Sequence, residues 1–126
     1  MGDVRVLAEG LCEVPMYLGA HPDTSLDKRV RSLRSTCLTA VHESDLSAIL
    51  CGRPDLVESW LSYSEDQRCA DAWYFTPGPG ANAAQWVVGR VSGKPEFVFG
   101  DVAAACAAFI ARILGENVVR WTKHGS

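Results

Sequence analysis

The sequence has no closely spaced pairs of the residues that build metal centres. Its candidate ligands are the following: His21, His42, His124, Cys12, Cys37, Cys51, Cys69 and Cys106. No two cysteines form a Cys-x-x-Cys motif, and no histidine shares a short motif with another candidate ligand. A structural zinc site is usually announced by such paired spacings. We therefore expect neither a metal ion nor another cofactor.

Excess positive charge and a phosphate-binding loop are also missing. Twelve Lys and Arg residues stand against 15 Asp and Glu residues, which gives a formal net charge of −3 at pH 7. A nucleic-acid-binding protein needs a basic face to neutralise phosphates. The glycine-rich segment 77–82 lacks the Gly-Lys-Ser/Thr ending of a phosphate loop, and its two prolines remove backbone donors. The composition disfavours a nucleic-acid partner and is compatible with a basic protein partner.

Long apolar runs are absent too. No stretch approaches the length of about 18 apolar residues that a membrane-spanning helix requires, and the first residues lack the apolar centre of a signal peptide. Cys106 lies among alanines, where a thiol acts as a small apolar group. An odd number of cysteines also leaves one unpaired in any disulfide scheme. We expect a cytoplasmic protein with reduced thiols and no membrane partner.

The chain does contain enough apolar surface for a packed core. Hydrophobic residues make up 48% of its 126 residues. Folding of a chain of this length removes roughly two-thirds of its extended surface from water. No repeat, low-complexity tract or long linker divides the sequence, so we expect a single domain over residues 1–126.

The N-terminal half is typical of short helices. Residues 4–8 form a β-like run, and a loop with prolines and glycines follows to residue 22. Thr24 and Asp27 resemble a capping box, after which apolar residues at helical spacing predict a helix. Further helices are expected over residues 44–51 and from Pro54 onward, since proline suits the first helical position.

Strands follow in the C-terminal half. Three segments rich in aromatic or β-branched residues are separated by turn signals and predict an antiparallel meander: 72–76, 85–91 and 96–99. Asp101 then caps a strong helix with a wide apolar face, and residues 118–121 predict a last short strand. The expected fold is α+β, with short N-terminal helices, an antiparallel sheet of three to five strands and a C-terminal helix packed on the sheet. Whether residues 4–8 join that sheet is left open.

The helix expected from Pro54 carries the most distinctive polar cluster. Paired carboxylates perform acid–base chemistry only where their surroundings separate their pKa values, and here they should be solvated. One interpretation is a plain solvated face, and the other is an acidic patch for a basic partner. We expect no catalytic residue. The candidate partner-binding residues are Asp55, Glu58, Tyr63, Glu65 and Asp66.

A basic helix face precedes this cluster. Its members are Lys28, Arg29, Arg31 and Arg34. Asp27 lies four residues before Arg31 and can pair with it, which favours a solvated face over a site for an acidic ligand. Among the four tryptophans, Trp121 is the one expected to be exposed.

The region over about residues 54–114 has a distinctive order of motifs. They are Trp60-Leu61-x-Tyr63-Ser64-Glu65-Asp66-Gln67-Arg68, Ala72-Trp73-Tyr74-Phe75, Val87-Val88-Gly89-Arg90, Phe99-x-Asp101 and Cys106-Ala107-Ala108-Phe109-Ile110. This order of helix, aromatic strands and closing helix resembles small immunity proteins encoded beside bacterial polymorphic toxins, including those of contact-dependent growth inhibition systems. The resemblance covers about half the chain and contains no catalytic signature.

The resemblance implies a protein that acts by stoichiometric binding. Members of this class bind the toxic C-terminal domain of a cognate toxin, often a nuclease, and block its active site or substrate surface. The binding surface differs between systems, so no binding residue transfers by motif. Our first hypothesis is therefore a non-enzymatic immunity protein.

Two other hypotheses stay open. A small cytoplasmic regulatory or ligand-binding module would bind another protein, or a small molecule in a deep apolar pocket. An enzyme would need a cleft in which a Cys, His or carboxylate group has a strongly shifted pKa.

Overall fold

Six helices and five short strands make up the described part of the chain. The computed structural model describes residues 2–35, 41–66, 73–77, 85–90, 95–115 and 118–121. The helices are α1 (Gly2–Cys12), α2 (Val14–Ala20), α3 (Leu26–Arg34), α4 (Glu43–Cys51), α5 (Pro54–Asp66) and α6 (Val102–Leu114). The strands are β1 (Val41–His42), β2 (Trp73–Pro77), β3 (Trp86–Arg90), β4 (Pro95–Phe99) and β5 (Val119–Arg120).

The strands form two separate sheets. β2, β3 and β4 form an antiparallel meander in that order, with Phe75 opposite Val88 and Val88 opposite Phe97. β1 and β5 pair in parallel, with Val41 opposite Val119. The predicted α+β class and meander are confirmed, and α6 packs on the meander as expected. The predicted last strand at residues 118–121 exists, but it pairs with β1 instead of extending the meander.

Most predicted helix starts and ends are confirmed. α4 and α5 begin within one residue of their expected starts, and the Asp101 carboxylate accepts a hydrogen bond from the Ala104 amide at 3.2 Å, as a cap does. α6 ends at Gly115, whose φ of 86° is a conformation that glycine adopts without strain. α3 starts one residue later than predicted, because Ser25 and not Thr24 accepts from the Lys28 amide.

The β-like reading of residues 4–8 is wrong, since these residues lie inside α1. Burial recurs at helical spacing, with Leu7, Ala8, Leu11 and Cys12 all inside. A strand would have placed Leu7 and Ala8 on opposite faces. Gly10 lies inside the same helix, and a Cβ there would stand 2.6 Å from Leu33 Cδ2, so glycine lets α1 and α3 approach closely.

The predicted loop up to residue 22 is also partly wrong, because it contains α2. Pro15 lies in the first turn of this helix, where its missing N–H has no intrahelical acceptor to lose. Val14 is fully buried and joins α2 to the core. A proline that seemed to exclude a helix is thus part of a helix start.

The core centres on aromatic rings from α5, α6 and β2. The Phe109 ring lies 5.1 Å from Phe75 and 6.0 Å from Trp60, measured between ring centroids. Trp60 is fully buried, and its indole N–H donates to the Cys12 carbonyl oxygen at 2.9 Å. One side chain of α5 therefore connects the sheet-covering helix α6 with α1.

A buried serine joins α5 to the outer edge of β2. Ser64 Oγ accepts from the Phe75 amide at 2.9 Å and lies 3.2 Å from the Phe75 carbonyl oxygen, to which it donates. An edge strand leaves such backbone groups without partners, and burial makes that costly. Ser64 satisfies both groups in the middle of β2, so α5 takes the place of a further strand at this edge.

A buried ion pair connects α4 with the end of α6. Arg112 Nη1 lies 3.3 Å from Glu43 Oε1, and both side chains are only 4% exposed. Glu43 stands in the first turn of α4 and Arg112 in the last turn of α6, where the helix dipoles favour their charges. The Arg112 guanidinium also lies 4.1 Å from the Trp121 ring centroid and 4.7 Å from that of Phe97. Arg112 thus contacts α4, β4 and, through Trp121, the segment after α6.

Replacement of Ser64 tests the closure of the β2 edge. We expect Ser64→Ala to lower the free energy of unfolding by about 1–3 kcal/mol, because two buried backbone groups lose their partner. Ser62→Ala on the exposed face of the same helix is the matched control and should change it by less than about 0.5 kcal/mol. Urea denaturation measures both, and equal effects would contradict this role of Ser64.

The buried ion pair makes a different prediction. Glu43→Leu should cost about 3–5 kcal/mol, because Arg112 keeps its charge inside the protein. The double variant Glu43→Leu with Arg112→Met removes both charges and should be more stable than Glu43→Leu alone. Thermal and urea unfolding of the variants measure this coupling. Costs that simply add would show that the two side chains act independently.

Candidate functional site

The carboxylates of α5 line up on the face of the helix that points away from the core. Leu56, Val57, Trp60 and Ser64 are buried, whereas Asp55, Glu58, Ser62 and Glu65 are exposed. We call Asp55, Glu58 and Glu65 the carboxylate stripe. Its ends are ten residues apart, which is about 15 Å at the rise of an α-helix. The structure thus brings three of the five predicted site residues onto one surface.

Asp55 differs from Glu58 and Glu65 because the Arg53 guanidinium already binds its carboxylate. Arg53 donates to both Asp55 carboxylate oxygens, at 3.1 Å and 2.9 Å, and this contact lowers the pKa of Asp55 below its usual value. Glu58 and Glu65 have no ion pair within the residues that the structure describes. Among the described residues, the negative charge of the stripe that has no ion-pair partner therefore lies at Glu58 and Glu65.

The other two predicted site residues lie elsewhere or are only partly described. Tyr63 is half-buried and packs edge-on against Trp60, with 5.5 Å between the ring centroids. Burial raises the pKa of its phenol. Asp66 is the last residue of α5, and its side chain lies outside what the structure describes. That these five residues bind a partner stays a prediction.

An apolar groove runs beside the stripe. It has a volume of about 330 Å³ and lies between α5, the end of α4, β3 and the start of α6. Its lining consists of Leu50, Cys51, Pro54, Val57, Glu58, Leu61, Trp86, Asp101, Val102 and Ala103. We call it the α5 groove. Glu58 and Asp101 are its only charged lining residues in the described part of the chain, and both are exposed.

Sequence reasoning missed this groove. The sequence predicts that, of the four tryptophans, only Trp121 is exposed, but Trp86 is partly buried, as are Leu61 and Val102. The lining joins α4 and α5 to β3 and α6, which lie about 20 or more residues farther along the chain, so no local pattern could indicate it. A weak signal existed in the partial amphipathicity of α5, where Leu61 lies between the buried and the exposed face.

A second cavity lies beside the basic helix α3. It has a volume of about 510 Å³ and is lined by Leu26, Asp27, Val30, Arg31, Arg34, Ser35, Ile113, Leu114 and Val118. Arg31 Nη2 lies 3.1 Å from Asp27 Oδ2, which confirms the predicted pair. The Arg29 guanidinium lies 3.7 Å from the Tyr17 ring centroid. Two of the four residues of the basic face, Arg29 and Arg31, are therefore engaged within the protein.

The two buried thiols, Cys12 and Cys106, are not activated nucleophiles. Burial raises the pKa of Cys12 to about 12 and also raises that of Cys106, so both remain protonated at neutral pH. Cys51 is exposed and free, while Cys37 and Cys69 lie outside the described residues. Groups of three or more potential metal ligands are absent from the described ranges.

The sequence predicts that Trp121 is exposed. Trp121 is 40% exposed, as predicted, although its indole N–H donates to the Ala111 carbonyl oxygen at 2.8 Å.

Within the described ranges, none of the helices combines the length and the apolar composition that crossing a membrane requires.

Comparisons of the chain with protein-family models, with curated proteins and with solved structures gave no match.

The end of α5 yields a test that involves stability alone. Carboxylates in the last turn of a helix oppose its dipole, and α5 has no basic residue there. We expect Glu65→Lys to raise the free energy of unfolding by about 0.3–1 kcal/mol at low salt, with a smaller gain at high salt. Glu58→Lys, farther from that end, should bring no gain. Urea denaturation at two salt concentrations measures the free energy of unfolding of both variants. Equal changes for Glu65→Lys and Glu58→Lys would contradict this explanation.

Proposed function

We propose that the protein is an immunity-type inhibitor of the bacterial cytoplasm. In this proposal it binds the C-terminal domain of a cognate toxin stoichiometrically and blocks it, without catalysing a reaction. The contact surface is the carboxylate stripe of α5 together with the adjoining groove. The toxin domain presents a basic surface, as a nuclease does.

The observation that carries the proposal is the uncompensated charge on a firmly held helix. Glu58 and Glu65 are exposed and have no ion pair in the described part of the chain, while Trp60 and Ser64 hold the same helix in the core. Side chains on a fixed helix lose less conformational entropy on binding than those on a mobile loop. An acidic surface of this kind is suited to a basic partner.

The position of Glu65 adds a second argument. A carboxylate in the last turn of a helix lowers stability, and replacement by a basic residue would relieve this at once. Local rules of this kind are typically broken where function requires it. Partner binding is a function that would retain an acid there.

A protection assay tests the proposal. The toxin domain encoded next to this chain is expressed in cells with and without the protein, and complex formation is followed by co-purification. Restored growth together with a 1:1 complex is the expected result. A toxic domain that is neither bound nor neutralised would refute the immunity role.

Charge reversal then tests the surface. Glu58→Lys with Glu65→Lys should slow association with the toxin domain at least about tenfold at low salt, because steering by opposite charge is lost. Asp23→Lys, an exposed acid before α3, is the control and should leave the rate nearly unchanged. Stopped-flow or surface-based kinetics at two salt concentrations provide the rates. Equal rates for wild type and the double variant would exclude the stripe as the contact surface.

A further inference from the structure

We propose that the α5 groove is a socket for one long aliphatic side chain with a cationic head, a lysine or arginine of the partner. This inference rests on the proposed function, since it assigns the part of the partner that the site recognises. The stem would lie on the apolar floor, and the head would reach Glu58 and Asp101 at the rim.

The composition of the lining selects for this chemistry. The floor is apolar, with Val57 and Ala103 buried and Leu61, Trp86 and Val102 partly exposed. Long basic side chains bury an aliphatic stem on such surfaces while the charged head stays in contact with water. The partly exposed indole of Trp86 adds an aromatic face, which attracts cations.

The charge at the rim has one sign. Glu58 has no ion pair among the described residues, and the Asp101 carboxylate uses Oδ2 to accept from the Ala104 amide. The described lining contains two carboxylates and no Lys, Arg or His. A cation entering the groove therefore meets two carboxylates and no competing basic side chain in the described lining.

The other surface cavities lack this selectivity. The two cavities beside α1 and α4 contain Arg5 in their linings, and Arg5 already lies 3.1 Å from Glu9. The cavity beside α3 contains Arg31 and Arg34. Of these four cavities, the α5 groove is the one that combines an apolar floor with carboxylates and no basic side chain in its described lining.

The size of the groove limits its occupant. A volume of about 330 Å³ lies at the lower end of the range of roughly 300–1,000 Å³ for small-ligand sites. This room suits one inserted side chain better than a folded segment. Insertion of a single anchor into a pocket is how a few residues dominate the affinity of many protein interfaces.

The first experiment needs no toxin. Hexylammonium and hexanoate carry the same chain length and opposite charges, and each is titrated into the isotope-labelled protein while amide and indole NMR signals are followed. We expect hexylammonium to shift the Trp86 indole signal and the amides of Val57, Leu61 and Ala103, with a dissociation constant of about 1–10 mM. Hexanoate should leave these signals in place. No shift with hexylammonium, or equal shifts with both probes, would overturn the assignment.

Matched variants test whether the carboxylate at the groove attracts the cationic probe. Glu58→Gln should weaken hexylammonium binding at least about threefold, whereas Asp23→Asn, at an exposed acid before α3 and outside the groove lining, should leave it unchanged. Equal effects of the two variants would mean that general negative charge, and not the groove, attracts the probe.

A second experiment uses the toxin domain and separates the two proposals. Leu61→Arg places a cation in the groove and should weaken the complex at least about 100-fold, while Met16→Arg, at an exposed apolar residue of α2, should not. Circular dichroism and thermal unfolding verify that both variants fold. If folded Leu61→Arg binds the toxin domain as tightly as the wild type does, the groove assignment is overturned and the immunity proposal remains. If the protein binds hexylammonium but forms no complex with the toxin domain, the immunity proposal is overturned and the groove assignment remains.

Discussion

The attachment of α5 to the core is the constraint on which the rest of the structure depends. Trp60 fills the space beside Phe109 and donates to the Cys12 carbonyl oxygen, so α1, α5 and α6 meet at one indole. One turn later, Ser64 satisfies the backbone of Phe75 and closes the edge of the sheet. A helix held at two successive turns has a fixed rotation about its own axis. Its inner face is defined by these contacts, and its outer face follows from them.

That fixed rotation explains the candidate site. With Trp60 and Ser64 inside, helical spacing brings Glu58 and Glu65 outside and Leu61 to the boundary between them. The capped start of α6 and the partly exposed Trp86 then complete a groove along this boundary. The charge and the apolar surface are thus consequences of one packing arrangement. A partner that contacts both the carboxylates and the apolar groove would bind a surface with little freedom to rearrange, which favours tight binding.

The sequence was informative wherever a local chemical rule decides the structure. Pro54 and Asp101 marked helix starts, and the aromatic strands with turn signals between them indicated the meander. Local patterns failed where tertiary contacts decide: residues 4–8 have valines typical of strands, yet burial of Leu7 and Leu11 on one side makes them helical. The Glu43–Arg112 pair joins residues 69 positions apart, and the groove joins four elements, so neither leaves a trace in local spacing. The acidic residues of α5 were visible in the sequence, but the engagement of Asp55 by Arg53 and the inward position of Tyr63 required coordinates.

Hydrogen–deuterium exchange of the protein with and without the toxin domain tests the central claim most directly. Because the account assigns the contact to α5 and the start of α6, complex formation should slow exchange in peptides covering residues 54–66 and 101–106. Peptides of α2 and α3 should exchange at unchanged rates and serve as an internal reference. Slower exchange confined to α2 and α3, with α5 unaffected in a complex that still forms, would contradict the claim that the outer face of α5 is the binding surface.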